Sequence, residues 1–166
     1  MSFTKKQVQD IDIALASKNL IIKEGTNENG SLKYSYFKDD KITSKIDGNT
    51  LTMKEQEKWR LFLVDISGFM NFPTQNGTEK IYVELTLSKD SNLNNIKIRT
   101  ASGDISIENV KANDLALDVA SGNIKLTNIG TTNLTLSSVN GDKVLSNIEA
   151  DSLNINSVSG NVTKTI

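Results

Sequence analysis

The sequence predicts an all-β fold: a single-stranded β-solenoid, or β-helix-like stack, of 19-residue rungs preceded by N-terminal antiparallel strands. Three observations predict it. Gly103, Gly122, Gly141 and Gly160 are spaced 19 residues apart. Apolar residues recur at fixed offsets between these glycines. Within each interval apolar and polar residues alternate, the period of a strand with one face buried.

Taken in order, residues 11–22, IDIALASKNLII, alternate Ile11, Ile13 and Leu15 before a second apolar cluster at Leu20 to Ile22, which reads as strand, turn, strand. The polar loop GTNENG at 25–30 leads into SLKYSYF, and the Gly48-Asn49 turn leads into TLTM, all β-favouring segments that suggest an antiparallel meander. KEQEKW at 54–59 could form a helical turn, but the run that follows, from about Trp59 to Ile66, is expected as a strand buried on both faces. Residues 67–77 hold the single proline and two glycines and read as a loop; KIYVELTL then alternates Ile81, Val83, Leu85 and Leu87 as a strand leading onto the repeat. Residues 1–90 are thus expected to form a strand region packed on and leading into repeats at 91–166, in one continuous body.

The repeat reads SGDISIENVKANDLALDVA from Ser102, SGNIKLTNIGTTNLTLSSV from Ser121, NGDKVLSNIEADSLNINSV from Asn140 and SGNVTKTI from Ser159. Twelve residues after each glycine stand Leu115, Leu134 and Leu153, expected to form one buried column; Leu117, Leu136 and Ile155 follow two residues later. Ile96 and Ile98 extend the register half a rung upstream. Backbone entropy of roughly 1 to 2 kcal/mol per residue exceeds what one rung's few aliphatic side chains return at about 1.5 to 3 kcal/mol each, so rungs must stack. Lys143 and Val144 break the alternation, and a bulge or a local opening is expected there.

Chemistry is constrained by what is missing. The chain has no Cys and no His, which removes disulfides, thiolate and imidazole metal ligands, cysteine nucleophiles and the commonest general base. With 19 basic against 20 acidic residues there is no field to draw nucleic acid. The longest apolar run, Leu61 to Ile66, is interrupted by Asp65 and falls short of the roughly 20 residues of a membrane-spanning helix, so no membrane insertion by this segment is expected. No signal peptide is evident near Met1, which leaves a cytoplasmic location open.

Two polar columns accompany the glycines. Asn109, Asn128 and Asn147 recur at one offset and are expected to form an internal amide ladder with a repeat of about 4.8 Å. Asp104, Asn123, Asp142 and Asn161 follow the glycines directly; turn chemistry accounts for them better than calcium, since calcium-binding β-rolls use shorter repeats and this column is half neutral. No metal or other cofactor is expected. The acids of the first rung, Asp104, Glu108, Asp114 and Asp118, read as surface acids rather than a catalytic pair. Tyr34, Tyr36, Trp59, Phe62, Phe69 and Phe72 lie outside the repeats and read as a core or capping cluster.

The rungs SGDISIENV and SGNIKLTNI, with the opening DIDIALASKNLIIKEG, the GNTLT turn and strand, and KIYVELTL, resemble the bacterial putative-adhesin family of β-strand repeats, domain of unknown function 4097, over roughly residues 10–166. The resemblance implies a non-enzymatic module of the cell envelope or extracellular face that binds a protein or glycan, with no catalytic motif to carry over. The alternatives are a carbohydrate-active enzyme on a β-solenoid and a self-assembling structural element. For the last, the strand at 159–166 offers an open edge, expected either to pair with a second copy or to be covered by N-terminal residues.

Overall fold

The computed structural model describes residues 1–35, 41–56 and 82–165. Every regular element among them is a strand. In chain order these are β1 (Ser2–Thr4), β2 (Asp10–Leu15), β3 (Asn19–Glu24), β4 (Asn29–Tyr34), β5 (Lys41–Asp47), β6 (Thr50–Gln56), β7 (Tyr82–Leu87), β8 (Asn92–Ser102), β9 (Ile105–Ser121), β10 (Ile124–Asn140), β11 (Lys143–Ser157) and β12 (Val162–Thr165). All twelve belong to one sheet. The strand expected over Trp59–Ile66, the loop at 67–77 and the aromatic residues Tyr36, Trp59, Phe62, Phe69 and Phe72 lie outside the described residues.

The long strands pair in parallel with partners 19 residues away. Ile124 sits between Ile105 and Lys143, and Leu134 between Leu115 and Leu153. β8 continues the register on the other side of β9, with Ile96 opposite Leu115. Because the partner of each residue is its own repeat equivalent, apolar columns face apolar columns. Leu115, Leu134, Leu117, Leu136, Val110 and Ile129 are all buried.

The N-terminal strands are not an antiparallel meander. β2 runs parallel to both β8 and β6, and β3 parallel to both β9 and β7. The pair β2 and β3, with its turn at 16–18, therefore lies beside β8 and the start of β9 as a further layer of the same ladder. Only β1 with β4, β4 with β7, and β5 with β6 are antiparallel. The physical reason is that Ile11, Ile13, Leu20 and Ile22 carry the same two-residue alternation as the repeat, so they extend its buried columns; all four are buried.

Lys143 does not start a bulge. It pairs in register with Ile124, Leu145 with Leu126, and the alternation is kept. The lysine side chain is buried, and its Nζ donates to Ser157 Oγ at 2.5 Å and to the Ser159 carbonyl at 2.7 Å. A long aliphatic stem thus fills an apolar column while its ammonium reaches polar partners at the next corner. Lys18 is buried by a different means, an ion pair with Glu55 at 3.5 Å, whose second oxygen accepts from the amides of Ala16 and Ser17.

Leu153 also departs from expectation. It keeps its register opposite Leu134 but is 36 % exposed. β12 pairs only with residues 143–146, so nothing among the described residues covers the second half of β11. Nor do N-terminal residues fold over that edge: β1 pairs with β4, at the far end of the strand order.

These burials separate two leucines of one column. Leu134→Ala is expected to destabilise the protein by about 2 to 5 kcal/mol through the cavity it leaves, and Leu153→Ala by under about half as much, in urea titrations of the two variants.

Candidate functional site

The turns between successive long strands, 19 residues apart, carry a regular column of polar groups. Gly103, Gly122, Gly141 and Gly160 all have positive φ, from 90° to 135°. A Cβ on Gly122 would stand 2.1 Å from the carbonyl oxygen of Gly103, and one on Gly141 the same distance from that of Gly122. Both the backbone angle and the close approach of stacked turns therefore require glycine.

The residue after each glycine closes a ladder along this corner. The Oδ1 of Asn19 accepts from the Asp104 amide at 2.8 Å, Asp104 from Asn123 at 2.8 Å, Asn123 from Asp142 at 2.9 Å and Asp142 from Asn161 at 2.8 Å. Aspartate and asparagine alternate freely because only the acceptor oxygen is used. Asn19 is a member the repeat spacing did not reveal; its signal is Ser17-Lys18-Asn19, a Ser-x-Asn turn with lysine where later turns have glycine.

The second column, Asn109, Asn128 and Asn147, forms an amide ladder, but on the outside. All three are exposed and adopt left-handed φ of 55°, 54° and 52°. Asn128 Nδ2 donates to Asn109 Oδ1 at 2.8 Å, and Asn147 Nδ2 to Asn128 Oδ1 at 2.9 Å. The left-handed backbone, which asparagine tolerates better than most residues, turns the strand at a corner and points the side chain away from the core. Asp90, 19 residues before Asn109, takes the same conformation with φ of 54°; the sequence reading missed it, although the 19-residue spacing was the signal.

Beside the glycine corner lies a groove with a volume of about 600 Å³. Its floor is a row of outward-facing residues, one from each successive strand: Glu84, Ile21, Ser106, Lys125 and Val144, in register across β7, β3, β9, β10 and β11. Ile21 and Val144 are 36 % and 39 % exposed, large apolar residues on the solvent side of the sheet. Tyr82 closes one end, and Asp104, Asn123 and Asp142 form the rim. Lys23 Nζ lies 3.4 Å from Glu84.

The rim carboxylates each have one oxygen committed to a neighbouring amide, and Glu84 is paired with Lys23. Asp104, Glu108, Asp114 and Asp118 are not drawn into one cleft: Asp114 accepts from Asn133 Nδ2 at 2.7 Å, and Asp118 lines a separate recess with Arg99. Among the described residues no three acidic side chains are grouped so as to hold a metal ion. No helix among them is long and apolar enough to cross a membrane.

The Toastrack DUF4097 family profile matches residues 8–165. Among solved structures, the chain is similar to a "putative cell adhesion protein" from Clostridium sporogenes, with a TM-score of 0.52 and 11 % identity over 99 % of this chain and 96 % of that one. A "putative adhesin" from Bacteroides fragilis aligns over 100 % of this chain and 95 % of that one, with 12 % identity and a TM-score of 0.38. No curated protein matches the sequence.

The ladder predicts that Asp104→Asn leaves stability within about 0.5 kcal/mol, whereas Asp104→Ala, which removes the acceptor of the Asn123 amide, lowers it by about 1 kcal/mol. EDTA and added calcium should leave the melting temperature of the wild-type chain unchanged. Gly122→Ala is expected to lower the melting temperature far more than Gly48→Ala, whose φ is also positive but whose added Cβ meets open space.

Proposed function

Because the chain belongs to the Toastrack DUF4097 family, we propose that it is a non-enzymatic binding module of the bacterial cell envelope or surface, a β-solenoid whose outer face holds a protein or glycan partner. The strands at 92–165 are its 19-residue rungs, and residues 1–90 supply the first layers of the same continuous domain. The similarity to the solved "putative cell adhesion protein" supports the shared fold, and adhesion is the reading that its description lends.

The observation that carries this reading is the groove floor. Five strands present one row of side chains to solvent, in which two exposed aliphatic residues stand among three polar ones beside a tyrosine ring. A rigid ladder holds that row in place, so a partner meets a pre-formed surface and little ordering opposes binding. One oxygen of each stacked turn carboxylate accepts from a backbone amide, which supports a structural role for these acids.

The test screens the purified chain against a glycan array and a displayed random-peptide library, beside the double variant Ile21→Glu with Val144→Glu. The expected result is a ligand class retained by the wild type and weakened by on the order of tenfold in the variant, a loss of about 1.4 kcal/mol, with circular dichroism unchanged. Turnover of any glycan or peptide by the wild-type chain would contradict the proposal.

A further inference from the structure

The rim of the groove carries a pattern that its structural role leaves unexplained. Along the glycine corner stand Asn19, Asp104, Asn123, Asp142 and Asn161, one to each successive turn, alternating carboxamide with carboxylate. The ladder uses only Oδ1 of each acceptor, and either residue type supplies that oxygen. Asparagine at every position would hold the turns equally well. The second atom of each side chain, Oδ2 in the aspartates and Nδ2 in the asparagines, makes no hydrogen bond among the described residues, and all five residues are exposed. Asn19, Asp104, Asn123 and Asp142 line the groove. They offer it donor and acceptor in turn, at steps of about 4.8 Å, so the pattern repeats every second strand.

The charges of the groove are interleaved in the same way. Asp104, Lys125 and Asp142 come from three successive turns and strands, and Lys125 has no carboxylate within ion-pair distance among the described residues. Glu84 is paired with Lys23 and stands in register with Lys33; Glu108 stands in register with Lys23. A polyanion would meet the aspartates and a polycation would meet Lys125. An uncharged chain of hydroxyl groups, which both donate and accept, meets all three as hydrogen-bond partners. Ile21 and Val144 add aliphatic surface to the floor, and Tyr82 adds a ring at the β7 end.

We propose that the groove binds a neutral, extended β-linked glycan laid along the ladder, across the strands, with one pyranose ring to each strand of the floor. The assignment deepens the binding role proposed for this face and rests on it. Such a glycan advances per ring by nearly the spacing of adjacent strands. Its successive rings are turned over, so a given hydroxyl returns to the same side only at every second ring, which is the period of the rim. Ring faces, which present C–H groups, lie on Ile21 and Val144 and end against Tyr82. Ring edges, which present hydroxyls, meet carboxylate, carboxamide and carboxylate in turn. An extended peptide has no such match, since its side chains on one face recur at about 6.8 Å.

The probes are soluble oligomers of cellulose and of chitin, from a single sugar to a hexamer, with amylose oligomers of equal length, which coil, as the control. Isothermal titration calorimetry with the whole chain is expected to show affinity for an extended series that rises with each added ring and levels off near the length of the floor. The matching amylose oligomer should bind more weakly by at least on the order of tenfold. Asp104→Asn with Asp142→Asn keeps every Oδ1 acceptor and makes the rim carboxamide throughout; it should weaken the hexamer on the same scale and leave the melting temperature unchanged. Binding of neither extended series, affinity independent of ring number, equal binding of amylose, or wild-type affinity in the rim variant overturns the proposal. If the wild type retains a peptide that Ile21→Glu with Val144→Glu releases, and neither extended glycan, the groove keeps its binding role and this ligand is wrong. Glycan binding untouched by Ile21→Glu with Val144→Glu overturns both.

Discussion

Everything in this molecule depends on how closely two backbones can cross at the glycine corner. Parallel strands lie about 4.8 Å apart, and at this turn each carbonyl faces the Cα of the next turn, leaving 2.1 Å between the Gly103 oxygen and the place where a Gly122 Cβ would be. Only glycine permits that approach together with the positive φ. Once the turns are stacked, the residues of β10 sit beside their equivalents 19 positions away in β9 and β11.

That register decides what the polar residues can do. Asp104, Asn123 and Asp142 accept from the amide of the next turn, so acids that a motif search would inspect for calcium or catalysis are structural acceptors. Asn109, Asn128 and Asn147 bond to one another along a second corner. With both corners committed to holding the ladder, the flat outer rows between them are the surface left for the binding proposed above.

The repeat was legible in the sequence because glycine spacing and two-residue alternation are both direct consequences of stacked strands. Leu115 and Leu134 are buried as their offsets implied. What was not legible came from context that spacing does not encode. The parallel placement of β2 and β3 was hidden because Lys18 stands where a glycine would have marked the turn. The asparagine ladder was placed inside because its recurrence was visible and its left-handed backbone was not. Lys143 looked like an interruption because a lysine in an inward column is recognisable only when the oxygens of Ser157 and Ser159 are seen at its tip. The groove was invisible for the same kind of reason: Glu84, Ile21, Ser106, Lys125 and Val144 come from five separate strands, and only the ladder brings them into one row.

The most direct test of the account is a nuclear Overhauser spectrum of the isotopically labelled protein, which reads strand pairing without reference to any ligand. The account predicts backbone contacts between residues 19 apart through the repeat, with Ile124 meeting both Ile105 and Lys143 and Leu134 meeting both Leu115 and Leu153. Contacts at any other constant separation, or pairs whose numbers rise on one strand as they fall on its neighbour, would contradict it.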